Sequence, residues 1–254
     1  WNANYKPNLN YKIHFKIYIL IWISFYLSKK IDILNFSNFE YLSKFKFLKN
    51  KIFLNSGGSF TSFDIFKPNL KKNYVTLLSR FTEGKGVIEF LNCIPLLDKE
   101  VNQLKIPNVE IHICGRGELH KNILERLNKT ILKNIKVNIY FIQNPEKILS
   151  QSKIFLSLQK RSNYPSKSLI EAMASGCIPI ITNTGDSKKM LEEEHGYYIN
   201  QNINEKEICK LITKILRFND KEFQDKSRII RDLTIKKFNI QNSIKYYSNL
   251  YNII

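Results

Sequence analysis

Between Tyr74 and Ile199 the sequence alternates short aliphatic runs with helix-length segments, and that alternation restricts the fold more than any other feature. The runs lie at 74–79 (YVTLLS), 109–114 (VEIHIC), 137–142 (VNIYFI), 154–158 (IFLSL), 178–182 (IPIIT) and 197–199 (YYI). Helical segments are expected from about Val87, from the Gly117 turn to about Lys129, briefly after Asn144-Pro145, and at 167–175 and 187–194. Strands separated by helices pair in parallel, because a crossover needs a dozen or more residues. The expected fold class is therefore α/β with a doubly wound parallel sheet. Ligands of such sheets sit at the carboxyl ends of the strands.

Upstream, residues 12–30 read as an apolar helix, 31–35 as a strand, 38–47 as a helix and 51–55 as a strand. The last runs into Ser56-Gly57-Gly58-Ser59, and Pro68 closes a linker. Downstream, helices are expected at 205–218, 220–237 and 241–251. The run 17–27 (IYILIWISFYL) is shorter than the roughly 20 apolar residues a membrane span takes. Lys16 and Lys29-Lys30 bracket it, which fits a buried helix first and an interfacial anchor second. The sequence opens on Trp1 rather than Met, and a fragment of a longer protein is the expectation drawn from that.

Cys93, Cys114, Cys177 and Cys209 are far apart and form no C-x-x-C pair. Free thiols in a reducing cytoplasm fit them better than disulfides or zinc. With 40 Lys+Arg against 22 Asp+Glu, the net charge is +18. Such a surface favours anionic partners, although a lysine- and asparagine-rich composition also raises the charge without any function. No interleaved aromatic-basic motif calls for nucleic acid, so none is expected as a partner.

Four clusters carry chemistry. Ser79-Arg80-Phe81-Thr82-Glu83-Gly84-Lys85-Gly86 joins a strand to a helix. Arg80 offers a planar fork to phosphate oxygens and Lys85 a point charge, and the following helix adds its amino-terminal dipole. A solvated basic turn is an equally weighted reading. Cys114-Gly115-Arg116-Gly117 allows close backbone approach to a ligand but lacks the third glycine of a dinucleotide fingerprint, and taken alone such a pattern is more often just a tight turn. Asn163-Tyr164-Pro165-Ser166-Lys167-Ser168-Leu169-Ile170-Glu171 opens a helix that stops at Gly176, and Glu171 could accept hydrogen bonds from ribose hydroxyls. Asn183-Thr184-Gly185-Asp186-Ser187 could present amides to phosphate, but plain capping by Asp186 or Ser187 is favoured.

Together the Arg80…Lys85-Gly86 loop, the Gly115-x-Gly117 turn and the block 168–179 (SLIEAMASGCIP) resemble the carboxyl-terminal domain of retaining glycosyltransferase family 4, with its GT-B fold. The resemblance runs from about Lys51 to the end. It implies a Rossmann-like donor-binding domain at 68–238, a remnant of a second Rossmann-like acceptor domain at 1–67, and a final helix at 239–254 packing back on that remnant. It implies transfer of a sugar, of hexosyl type, from a nucleotide diphosphate to a glycan or lipid-linked acceptor in cell-envelope polysaccharide synthesis, without metal or cofactor. Arg80 and Lys85 would act on the diphosphate and Glu171 on the ribose. The base would meet the segment 141–144 with Phe141 and Gln143. Gly57, Gly58, Gly84, Gly115, Gly117, Asn163, Pro165, Ser166, Lys167, Ser168 and Leu169 would line the donor site.

Two departures stand out. The family usually carries a second acidic residue before the glutamate, and here Ser162 and Asn163 occupy those positions, although a subgroup has an N-Y-P-S form. Most of the acceptor domain would lie upstream. His14, His112, His120 and His195 are read as structural. The alternatives are a non-catalytic nucleotide-sugar-binding fragment or inactive gene product, a basic membrane- or nucleic-acid-binding protein, and a sugar-nucleotide epimerase. The expected location is cytoplasmic, with peripheral contact at the inner face of an anionic membrane.

Overall fold

The computed structural model describes residues 11–251, with side chains from residue 17 onward. The expected main sheet is present: β3 (Lys72–Leu78), β4 (Val109–Cys114), β5 (Ile135–Tyr140), β6 (Ser152–Ser157), β7 (Ile178–Thr182) and β8 (Tyr197–Ile199), all parallel, in the order β5-β4-β3-β6-β7-β8. From β3 the chain moves outward through β4 to β5, then returns to the other side of β3 with β6. The topological switch point therefore lies between β3 and β6, which is where such sheets hold ligands. The strand core is nearly continuous Val, Ile and Leu, as burial on both faces requires.

Helices α3 (Val87–Gln103), α4 (His120–Asn128) and α7 (Glu205–Leu216) form one packed group. The short α5 (Glu146–Leu149), α6 (Lys167–Ala174) and α8 (Asp220–Phe238) form another. A smaller separate core joins Ile31, Ile33, Leu42, Leu48 and Ile52. It belongs to α1 (Tyr11–Leu27), a two-stranded parallel ladder of β1 (Ile31–Ile33) and β2 (Ile52–Leu54), and α2 (Phe36–Leu42). The last helix, α9 (Ile240–Tyr251), lies against this unit: Tyr246 and Tyr247 each donate to the Asp32 carboxylate at 2.8 Å.

The connection between the units is strapped rather than loose. Lys71 donates to the carbonyls of Leu149, Ser152 and Ser175 at 3.2, 2.8 and 2.6 Å, and burial pushes its pKa down. Arg231 of α8 donates to the carbonyls of Phe66 and Phe63 at 2.7 and 3.1 Å. A buried ammonium is tolerable only with its donors satisfied.

Several boundaries differ from the sequence reading. The helix expected at 187–194 is a 3-10 turn at Gly185–Lys189, and no α-helix begins before Glu205. Its acidic stretch Glu192-Glu193-Glu194 would sit at a helix carboxyl end, against the dipole. Strand β5 starts two residues earlier than the expected 137–142. The Asp98 carboxylate gathers the backbone N–H groups of Lys133, Asn134 and Ile135, at 2.8 Å for Asn134 and 2.9 Å for Ile135, and so fixes the strand's entry. Helix α2 starts two residues before the expected 38–47 because Asn35 caps it, accepting the Asn38 N–H at 2.8 Å, and it stops early, with Ser43 as its carboxyl cap. All four cysteines are free and buried. No helix among the described residues is long and apolar enough to cross a membrane.

Candidate active site

The loop after β3 is held in place before it can hold anything else. Phe81 is fully buried, its N–H donating to the Arg116 carbonyl at 2.9 Å, while Ser79 N–H donates to the Cys114 carbonyl at 3.0 Å. A side chain on Gly115 would meet the Ser79 carbonyl at 1.9 Å, and one on Gly117 the Phe81 carbonyl at 2.5 Å. The G-x-G turn therefore owes its glycines to packing against the neighbouring loop. This is the tight turn that the pattern offered as its commoner reading. Gly86 begins α3 at φ +75°, and a Cβ there would lie 2.1 Å from the Leu158 carbonyl. Gly84, at φ +76°, has open space around it.

This scaffold leaves Arg80 exposed and Lys85 half-buried. Lys85 Nζ donates to Gln159 Oε1 at 2.8 Å, so the ammonium crosses from the loop after β3 to the loop after β6, over the switch point. Burial lowers the Lys85 pKa first and the nearby Arg80 charge lowers it further. Two cations held close enough to repel each other have a natural complement in a multiply charged anion.

Across the switch point, Ser166 opens α6 with extended backbone, yet its side chain makes no capping bond. Its hydroxyl oxygen is buried and without a hydrogen-bond partner. The Ile170 N–H donates to the Ser166 carbonyl at 3.0 Å, which leaves the amides of Lys167, Ser168 and Leu169 without intrahelical partners. Amides at a helix start are an anion site, and here the usual serine cap does not take them. The Leu169 side chain itself turns into the core, so only its backbone is available at the site.

Glu171 lies one turn into α6, with Lys167 Nζ 3.7 Å from its carboxylate. Burial raises the Glu171 pKa, and Lys167 pulls it back down. Lys167 also donates to the Phe60 carbonyl. Tyr164 OH donates to the Ser56 carbonyl at 2.7 Å, which brings the loop after β2 up to the entry of α6. In that loop Gly57 faces the Lys237 carbonyl and Gly58 faces Leu34 and Asn55, each too close for a side chain. Asn163, Gln143 and Phe141 are exposed, and Pro165 and Ser168 half-buried.

The structure thus brings Arg80 to Lys85, and Ser166, Lys167 and Glu171 together on α6. Among the described residues, no hydrogen bond or ion pair joins Glu171 to Arg80 or Lys85. A groove of about 920 Å³ lies beside the loop of Arg80 and Lys85, lined by Thr82, Gly84, Glu89, Asn122, Lys160 and Gln201 among others, but not by Arg80, Lys85 or Glu171.

Of the capping pair favoured at 183–187, Ser187 does the local work, accepting the Thr184 N–H at 2.9 Å. Asp186 instead accepts the Ser37 N–H at 3.0 Å and the Ser37 hydroxyl at 2.9 Å, binding the start of α2. Gln159 escaped the sequence reading, although its place just past an apolar run at the switch point was a usable signal. The histidines find structural partners: His112 Nδ1 lies 3.1 Å from Tyr140 OH, His120 stacks on Phe81, and His195 lies 2.8 Å from the Glu194 carboxylate. The side chain of His14 is outside the described residues.

The family model for glycosyl transferases group 1 matches residues 59–229. The chain belongs to this family. Within the group 1 glycosyl transferases it is 28% identical, over 186 residues, to glycogen synthase of Aquifex aeolicus, a match covering 71% of this chain and 38% of that protein. Among solved structures, S. aureus TarM superposes with a TM-score of 0.76 at 21% identity, over 99% of this chain and 48% of TarM. Anabaena HepE, solved with UDP and glucose, superposes with a TM-score of 0.72 at 11% identity, over 94% of this chain and 67% of HepE. These neighbours share the GT-B architecture. This group 1 glycosyl transferase chain spans less than half the length of the glycogen synthase and of TarM.

Proposed function

We propose that this chain forms the donor side of a retaining, family 4-type glycosyltransferase that moves a hexose from a nucleoside diphosphate to a glycan or lipid-linked acceptor. The observation that carries the reading is that Lys85, beside Arg80, reaches over the switch point to Gln159, in the loop that leads to the uncapped start of α6. Sugar transfer breaks the bond between the anomeric carbon and the β-phosphate oxygen, and negative charge grows on the departing diphosphate. A guanidinium, an ammonium and preorganised amides aimed at that charge lower the barrier more than they stabilise the intact donor.

Glu171 would accept the ribose hydroxyls in place of its contact with Lys167, which keeps its bond to the Phe60 carbonyl. The position of Asn163 offers an amide rather than a carboxylate near the sugar. Retention and independence of metal follow from the family 4 resemblance. The relative with UDP and glucose bound supports a nucleotide sugar as donor, and TarM, which has been solved with UDP and α-GlcNAc-glycerol, supports an acceptor beyond it. An upstream acceptor half completing the small β1-β2 unit is part of the proposal.

The test is a thermal-shift and calorimetric screen of UDP-, GDP- and ADP-sugars against wild type and Arg80→Ala. One donor class is expected to stabilise the wild type and to lose most of its effect in the variant. No stabilisation by any nucleoside diphosphate sugar would sink the reading. Turnover assayed with and without an added amino-terminal half separates a catalytic chain from one that only binds donor.

A further inference from the structure

A trough leads away from the cationic loop along helices α3 and α4. Its upper part, about 920 Å³, lies between the loop after β3, the start of α4 and the loops after β6 and β8. Its lower part, about 320 Å³, lies between Pro95 of α3 and Thr130, just past α4. Arg126 lines both parts, so they meet at its side chain. Pockets for small ligands measure about 300–1,000 Å³ each. Two joined end to end take an elongated ligand, and from Val87 to Pro95 the trough follows α3 for about 12 Å.

The polar groups along it are planar and oriented. Arg126 Nε donates to Asn122 Oδ1 at 2.8 Å and Nη1 to Asn92 Oδ1 at 3.4 Å, so one amide from each helix holds the fork. Among the described residues, Arg126 Nη2 and the side-chain nitrogens of Asn92 and Asn122 donate to nothing, and the Glu83 and Glu118 carboxylates accept nothing. Pro95 has no N–H to return to the Leu91 carbonyl one turn earlier, and both residues line the lower part. These donors and acceptors stand beside aliphatic surface from Val87, Ile88, Leu119 and Pro95.

Charge decides the class of ligand. Glu83, Glu89 and Glu118 line the upper part against Arg126, Lys160 and Arg161, three of each sign, on a chain whose net charge is +18. Lys160 Nζ lies 2.5 Å from the Glu89 carboxylate, which neutralises both. An anion would meet three carboxylates here. A nucleobase would find no ring to stack on, because no aromatic residue lines either part among the described residues. A chain of uncharged sugar rings fits: each hydroxyl donates and accepts, and the C–H faces of the rings cover aliphatic side chains.

We infer that the α3–α4 trough binds an uncharged oligosaccharide, a stretch of the acceptor glycan away from its reacting end. This rests on the glycan-acceptor reading above. The Lys160 N–H donates to the Gly84 carbonyl at 2.9 Å, so the trough shares a wall with the loop that carries Arg80 and Lys85. A glycan tethered there presents its free end to the donor site at a raised effective concentration, with no part in the chemistry.

The experiment is calorimetric titration into wild type, Arg126→Met, Asn92→Ala and Arg80→Ala. The probes are disaccharides and hexasaccharides of the malto-, chito- and β-manno-series, anionic hexagalacturonate, and UDP, GDP and ADP. Arg126 and Asn92 are exposed, so both variants should fold. Wild type is expected to bind at least one neutral hexasaccharide about ten-fold or more tightly than its disaccharide and than hexagalacturonate. Arg126→Met should weaken that hexasaccharide about ten-fold or more, the scale of a hydrogen bond to a charged group, and Asn92→Ala by less. Both should leave nucleoside diphosphates unchanged, whereas Arg80→Ala should weaken the nucleotides and leave the hexasaccharide. The inference is overturned by any of four results: no hexasaccharide bound at millimolar concentration, affinity that does not rise with length, hexagalacturonate bound as tightly as the neutral chains, or full affinity in Arg126→Met. In each of those cases nucleotide binding that depends on Arg80 leaves the donor-site reading standing. Hexasaccharide binding that depends on Arg126, with no nucleotide bound at all, would keep the trough and remove the donor site.

Discussion

Lys85 Nζ and Gln159 Oε1 are 2.8 Å apart, and that bond closes the sheet's switch point from above. The amide oxygen holds the ammonium in place while leaving two of its three protons for another acceptor. It also satisfies a cation that burial and Arg80 both disfavour.

Removing that cation should therefore cost binding rather than stability. Lys85→Met is expected to weaken nucleoside diphosphates by roughly ten- to a hundred-fold, the scale of a hydrogen bond to a charged group. Its urea midpoint should stay at or slightly above that of wild type. A lower midpoint with unchanged binding would assign Lys85 to the fold.

Glu171 has its pKa raised by burial above the ordinary 4.5. The folded state therefore takes up its proton more readily than the unfolded state. The stability contribution is full below about pH 4.5 and is lost as pH rises through the raised folded value. Glu171→Gln should shrink the drop in Tm between pH 4 and pH 7 while weakening nucleotide more than pyrophosphate. A wild-type pH profile retained in the variant would contradict this assignment.

Asp98 shows the opposite sign. Burial pushes its pKa up, but hydrogen bonds from Asn134, Lys133 and Ile135 outweigh it and hold the carboxyl below the usual range. Its contribution is present above the unfolded value of 3.8 and is lost as pH falls through the lower folded one. Asp98→Asn is expected to cost about 1–3 kcal/mol at neutral pH by urea unfolding, and to flatten acid sensitivity. Nucleotide binding should not change, because Asp98 sits where β5 begins, far from the carboxyl edge.

The two glycines of the cationic loop should respond differently. Gly84→Ala is expected to cost roughly 1 kcal/mol for a left-handed backbone in open space. Gly86→Ala adds a Cβ 2.1 Å from the Leu158 carbonyl, so the start of α3 must move. Its cost should exceed about 2 kcal/mol, with nucleotide binding lost as well. Equal unfolding midpoints for the two variants would count against the close approach of α3 to β6.

Exposed Ile19, Ile23, Tyr26 and Leu27 on α1 line one apolar groove with exposed Phe47, and Lys29, Lys44, Lys46 and Lys49 are exposed in the same unit. Peripheral contact with an anionic membrane is proposed through this surface. Vesicles rich in anionic lipid should bind the chain and release it as salt rises. Binding that ignores salt, or that matches on neutral vesicles, would defeat the proposal.

The aliphatic runs and their spacing were enough to determine a parallel α/β sheet with its ligand edge, because alternation and crossover length are local properties of the chain. The Arg80…Lys85 loop and the α6 start were legible for the same reason: each is a contiguous stretch at the end of a strand. Only the tertiary structure decided that Lys85 reaches Gln159, that Asp186 caps the start of α2 instead of its own turn, and that Arg116 rests on Phe141. Those pairs are 74, 149 and 25 residues apart. Their partners are chosen by strand order, which places chain segments side by side without leaving a periodic mark on either one. The same cause applies to the glycines of the G-x-G turn: their pattern announces a tight turn, and only the folded sheet shows that the Ser79–Phe81 backbone comes up against it.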